Sequence, residues 1–246
     1  MVKIIIHITK FVVATITALL FASCNFADKM NSVEGSGNVT TEKRIVQGDF
    51  KNISVSNAID LVIEQSDSTE ITVEADDNLQ KEIITQVENG TLVIKCKFNS
   101  FHNVTMKKVV VKMPAINKIE ASSASSVQTK NVIQGENVSL ETSSAATMEV
   151  NIESDNIICD SGSGSNINIQ GKALKLKTSA SSGASIDAQK LLANDVEADA
   201  SSGGSVNVHP IVSLRADASS GGSVNYDITP KKIERTSSSG GSVSQG

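Results

Sequence analysis

The sequence predicts an all-β protein: a right-handed parallel β-helix, or β-solenoid, with coils of about 19 residues, preceded by a β-rich N-terminal half of the same domain. Three observations carry this expectation. The first is a repeated phrase, Ala200-Ser-Ser-Gly-Gly-Ser-Val206, Ala218-Ser-Ser-Gly-Gly-Ser-Val224 and Ser237-Ser-Ser-Gly-Gly-Ser-Val243. Looser copies run upstream at Ala180–Ile186, Asp160–Ile167, Thr142–Met148 and Ala121–Val127. The apolar residue closing each copy falls at 127, 148, 167, 186, 206, 224 and 243, in steps of 21, 19, 19, 20, 18 and 19. A period of this size marks a stacked repeat architecture. The second observation is period-2 alternation on both sides of each phrase, as in Val196-Glu-Ala-Asp-Ala200 and Ser205-Val-Asn-Val208. The third is an aromatic share of only 3%, with Ala, Val and Ser at the inward phase, which suits a narrow coil.

The elements follow in order. Residues 1–23 read as an export signal: Lys3 and Lys10 give a basic start, and Phe11–Leu20 a short apolar run that ends in small residues. That run is shorter than an ordinary membrane span. Leu20-Phe-Ala-Ser-Cys24 resembles the lipobox of bacterial lipoproteins, which would make Cys24 the lipidated first residue of the mature chain. Acyl chains contribute about 0.8 kcal/mol per buried CH2, so a multiply acylated Cys24 would hold the protein on a membrane. Residues 24–40 are polar, glycine-bearing and non-periodic, and read as a flexible tether.

Residues 41–117 form the β-rich N-terminal part. Ile53 and Val55, then Ile59, Leu61 and Ile63, then Ile71, Val73 and Ala75 alternate with polar partners. Asn89-Gly90 between Ile83–Val87 and Thr91–Ile94 is a hairpin signal, because both turn positions need positive φ. Asp76–Ile84 holds one helical turn at most, and Pro114 ends the strand Val109–Met113.

Residues 118–246 are the Ser/Gly-rich solenoid repeats. One coil at about 3.3 Å per residue is a path of roughly 60 Å, and seven coils spaced about 4.8 Å apart make a rod on the order of 30 Å long. Period-2 logic points Val196, Ala198 and Ala200, and Leu214, Ala216 and Ala218, inward, with Glu197, Asp199, Arg215 and Asp217 outward. Stacked serines can share hydrogen bonds along a ladder. Gly203-Gly204, Gly221-Gly222 and Gly240-Gly241 are placed at the coil corners, where residues without Cβ reach the required dihedrals.

These blocks also carry a family resemblance. Arg44-Ile-Val-Gln-Gly-Asp-Phe50-Lys-Asn-Ile53-Ser-Val55, Asn57–Gln65, Ile71–Asp76 and Asn89–Ile94, with the later Ser/Gly coils, resemble the bacterial family named putative auto-transporter adhesin, head GIN domain, over about residues 41–243. The resemblance implies a parallel β-helix-like fold on secreted or lipid-anchored proteins and transfers no catalytic residue.

The chemistry is sparse. Two of the 22 basic residues lie in the signal and no acidic one does, leaving 20 against 27, a net charge of −7. With a single Tyr, this speaks against nucleic acid as a partner. His102 and His209 are far apart with no zinc spacing, so no metal and no cofactor is expected. Cys96 and Cys159 sit in strand-like runs and read as buried thiols, with one disulfide as the alternative. Asp160, Glu197, Asp199 and Asp217 would project from adjacent coils as an ordinary solvated face, or as a carboxylate row gripping calcium and uronic acids.

The function these readings favour is a non-enzymatic cell-envelope lipoprotein, lipid-anchored to the outer membrane, with an adhesin-like solenoid surface for a glycan or envelope-protein ligand. The alternatives are a polysaccharide-active enzyme on a β-helix scaffold, which needs a cluster of Asp with Lys or Arg on one strip, three or more such side chains lining a groove, and a structural protein that associates end to end through its last coil.

Overall fold

The computed structural model describes residues 31–246. The export signal and Cys24 lie outside the described residues. Seven coils follow one another from Lys118 to Gln245, each contributing one strand before the corner and one after it, all in parallel register. The apolar markers stack as the period requires: Val127 on Met148, Met148 on Ile167, Ile167 on Ile186, Ile186 on Val206, Val206 on Val224, and Val224 on Val243. In the middle coils the chain stays extended around the third side, so strands such as Asn166–Ala180 and Ser185–Ala200 run from one corner to the next.

The stack does not begin at residue 118. Strands Asn52–Val55 and Asp60–Gln65 lie directly against Lys118–Ala121 and Ser126–Thr129. Thr91–Cys96 and Lys107–Met113 lie outside them in turn, although they come later in the chain. The outermost layer is antiparallel. Ile83–Glu88 pairs with Thr91–Cys96 through the Asn89-Gly90 turn, whose φ values are 49° and 76°. Glu70–Asp76 pairs with Lys107–Met113, and Val39–Arg44 pairs with Glu70–Asp76. Charges line that outer strand, with Lys43 on Glu70 at 2.7 Å and Arg44 on Glu42 at 2.8 Å, and charged edges resist pairing with other chains.

The tether expected over 24–40 needs correction. Ser32–Glu34 pairs with Ser100–His102, and Gly37 donates its N–H to Asp76 Oδ2 at 3.0 Å. Residues 32–40 are therefore part of the domain. Asp76 holds them there, because its buried carboxylate also accepts the N–H of Met106 at 2.9 Å and of Thr105 at 3.2 Å. The one helical turn is a 3-10 turn over Asp77–Leu79.

The interior changes along the axis. One inward column reads Leu92, Ile53, Ile119, Leu140, Cys159, Thr178, Ala198 and Ala216 in spatial order, so the core narrows from Leu and Ile to Ala. Ala198 is 0% and Ala216 1% exposed, which bears out the inward phase. Replacing either with Leu adds methylenes to a filled space and is expected to cost about 1–3 kcal/mol, read as a lower melting temperature. An unchanged melt would mean the column is not packed as described.

In the middle coils hydroxyls enter the interior and satisfy one another: Thr142 Oγ1 lies 2.9 Å from both Ser161 Oγ and Ser165 Oγ, and Ser165 Oγ donates to the Gly162 carbonyl at 2.7 Å. A buried hydroxyl with partners carries little penalty. Cys159 is wholly buried, with its thiol pushed far up by desolvation, and Cys96 sits four layers away; both are free. In the last coil Arg235 occupies the column that Ala216 fills below it, and its Nη1 donates to Tyr226 Oη at 3.1 Å. The outer edges of Lys232–Ser237 and Ser242–Gln245 have no neighbour among the described residues.

Candidate ligand-binding surface

The repeated phrase builds the corners, and its atoms are used up in doing so. In the three closest copies the residue before the first glycine is already left-handed: Ser202 has φ 50°, Ser220 50° and Ser239 49°, followed by Gly203 at 74°, Gly221 at 75° and Gly240 at 77°. The turn closes through Gly204 N–H to the Ser201 carbonyl at 2.8 Å, repeated by Gly222 on Ser219 and Gly241 on Ser238. Gly204, Gly222 and Gly241 are at the corners for a different reason from the one expected. Their φ is not positive, but a Cβ on them would collide with the carbonyl groups of Ala180, Ala200 and Ala218 in the coil below. The equivalent corner positions of the earlier coils carry a Cβ, as Ala184, Ser165 and Ala146. Asn57-Ala58, with φ 63° and 52°, is the same corner in an upstream coil and bears no Ser-Gly sequence.

Outward residues form columns along the rod, and three of the grooves between them carry amide or charged side chains in register. An amide groove of about 480 Å³ follows the corner in the central coils and is lined by Gln128, Thr129, Glu149, Asn151, Asn168, Gln170, Asp187 and Lys190, with Val150 and Ile169 beneath. Asn151 N–H donates to Thr129 Oγ1 at 2.9 Å. The register slips by one residue between Asn168/Asp187 and Gln170/Lys190, a β-bulge in which Gln189 N–H is taken by Asp187 Oδ1 at 3.1 Å. Bulges re-aim side chains, and this one delivers Lys190 to the end of the groove. The 20-residue step from 186 to 206 was its trace in the sequence.

A second groove, about 640 Å³, has mixed charge. Lys175, Asp195 and Lys232 line one wall and Lys177, Glu197, Arg215 and Glu234 the other, with the 45% exposed Ile158 at the head of the second wall and an apolar floor running from Ile157 and Leu176 to Ile233. Lys177 pairs with Glu197 at 3.1 Å, and Ser213 Oγ donates to Asp195 Oδ1 at 2.6 Å. Pairs this exposed contribute little to stability.

The third groove, about 370 Å³, lies beside the acidic column. Asp160, Asp199 and Asp217 do share a column, with Ser179 between the first two, whereas Glu197 belongs to the neighbouring column with Lys177 and Arg215. Glu141 and Glu120 extend the row toward the N-terminal end, and stepping back from Asp160 by the repeat period would have found them. Lys118 neutralises that end, contacting Glu120 and Glu141, the latter at 2.8 Å. Burial, then Glu141, raises the pKa of Asp160; burial, then Glu197 and Asp217, raises that of Asp199. Among the described residues no group of three His, Cys, Asp or Glu is arranged to hold a metal ion. His209 Nδ1 contacts Asp227 Oδ2 at 2.9 Å, and His102 is exposed on an outer strand.

A corner-stacked β-solenoid with polar columns and open grooves defines a class of stacked-repeat proteins. Within that class, residues 49–230 match the family model described as "Putative auto-transporter adhesin, head GIN domain", and the chain belongs to this family. Solved structures agree in fold. A putative adhesin from Bacteroides fragilis superposes with a TM-score of 0.80 at 19% identity, covering 87% of this chain and 100% of that one. A putative adhesin from Parabacteroides distasonis gives 0.70 at 24% identity, covering 87% and 100%. A protein from the same organism, described as a putative lipid binding protein, gives 0.70 at 20%, covering 87% and 99%. No curated protein matches the sequence.

Proposed function

We propose that the chain is an exported, lipid-anchored, adhesin-like protein of the outer membrane that holds a ligand on the outward columns of its solenoid without transforming it. Membership of the adhesin family supports this reading. The observation that carries it is the form of the surface: long open ladders of polar side chains in register, suited to an extended ligand that several coils share. Lipidation at Cys24 is the anchoring part of the proposal. Cys24→Ala is expected to abolish labelling by a fatty-acid probe and release the protein from the membrane fraction; a labelled, membrane-bound variant would overturn the anchor. Protease shaving of whole cells then separates the periplasmic from the outer face.

One observation favours a second reading, a polysaccharide-active enzyme. The mixed-charge groove brings Asp195, Glu197 and Glu234 together with Lys177 and Arg215 on one strip. Release of shortened products from polyuronates or neutral glycans, lost in Glu197→Gln, would establish it.

A further inference from the structure

We propose that the amide groove of the central coils is a site for a linear neutral glycan lying along the rod, with about one sugar unit to each coil. This rests on the reading of the surface as ligand-holding, and it names the ligand class. Two independent features single this groove out. First, among the described residues the side chains of Gln128, Glu149, Asn168, Gln170 and Lys190 make no hydrogen bond or ion pair with the protein, although the first three stack in one column on successive coils and the last two in the column beside it. Farther along the same column the equivalent groups are occupied with one another: Asn225 Nδ2 donates to Asn207 Oδ1 at 3.1 Å, and Ser244 Oγ to Asn225 Oδ1 at 2.8 Å. The column is thus closed in its C-terminal part and open in its central part. Second, the bulge at Gln189 falls at the border between the two parts and turns Lys190 into the groove.

The chemistry selects the ligand. Primary amides present a donor and an acceptor side by side, and carboxylates accept two hydrogen bonds. Together they match the adjacent hydroxyls of a sugar ring, each of which donates and accepts. The spacing of about 4.8 Å between coils is close to the length of one pyranose unit, so successive rings meet equivalent side chains. Glu149 and Asp187 outnumber Lys190, and like charges opposed across a contact disfavour an acidic polymer. The lining holds no aromatic platform, so affinity comes from hydrogen bonds, each modest, summed over coils.

Isothermal titration of the full chain with cellohexaose, laminarihexaose, chitohexaose and an oligoguluronate tests the site. At least one neutral hexasaccharide is expected to bind in preference to the oligoguluronate. Asn168→Ala with Gln170→Ala is expected to weaken that binding about tenfold or more, with Asn168→Asp as a second, shape-keeping variant. Asn207→Ala with Asn225→Ala, in the closed part of the column, is expected to leave it unchanged. Absence of binding to all three neutral glycans, tighter binding of the oligoguluronate, or full binding by the Asn168/Gln170 variants would overturn the site. If glycan binding instead vanished in Lys177→Ala with Arg215→Ala, the ligand-holding reading would stand with its site elsewhere. Product release during the titration would sink both.

Discussion

Gly171→Ala is expected to destabilise the fold by about 3 kcal/mol or more. Gly171 lies on the third side of its coil, in register between Ile152 and Leu191, with φ 127°. A Cβ there would overlap the Ile152 carbonyl oxygen and stand 2.9 Å from its carbon. Neither backbone can yield, because both belong to parallel ladders bonded on two sides. Gly183→Ala is the natural control. Its φ is 72° with nothing within 4 Å of the added carbon, so only the left-handed conformation is penalised, by about 1 kcal/mol. Equal denaturation midpoints for the two variants would show that the coils do not approach as closely at Gly171 as described.

Asp76→Ala is expected to cost about 2–4 kcal/mol, since three backbone N–H groups lose a shared buried acceptor. Burial alone would raise the pKa of this carboxyl, but the N–H groups of Gly37, Met106 and Thr105 outweigh it and the net direction is down. The sign of the pH dependence follows. A carboxylate with a depressed folded pKa contributes stability that is complete above its unfolded value, about 3.9, and is lost as pH falls through the folded value. Acid titration of the melting temperature in the wild type against Asp76→Asn should show the wild type losing its advantage in that window. Parallel curves would mean that the carboxylate is not the element that pins residues 32–40.

The coils were legible before the structure because their sequence repeats local chemistry. Val127 through Val243 keep one phase, and an alternating strand has only two faces to choose between. Neighbour order at the N-terminal end is another matter. Strands 52–65 are sandwiched between 91–113 and 118–129, and nothing in the alternation of Ile53 or Val109 states which strand comes to lie beside it. Asn57-Ala58 escaped notice as a corner because residue types other than Ser and Gly satisfy the same dihedrals there. The acidic residues showed the opposite problem: Asp160, Asp199 and Asp217 were visible, but their partition from Glu197 depended on which residues share a column. The amide groove was missed because glutamine and asparagine on a strand carry no motif; only register reveals that four of them line one groove, two beside a bulge.

The narrowing interior has a mechanical meaning. The amide groove spans coils whose inward column reads Ile119, Leu140, Cys159, Thr178 and Ala198, while the N-terminal end, next to any tether, is built on Leu92 and Ile53. Tension between a ligand held in the groove and that end therefore crosses the layers with the most apolar contact. The alanine-lined coils beyond Ala198 lie outside the path of the force. They carry none of the load, so the grip and the layers leading back from it do not depend on the weaker apolar packing there.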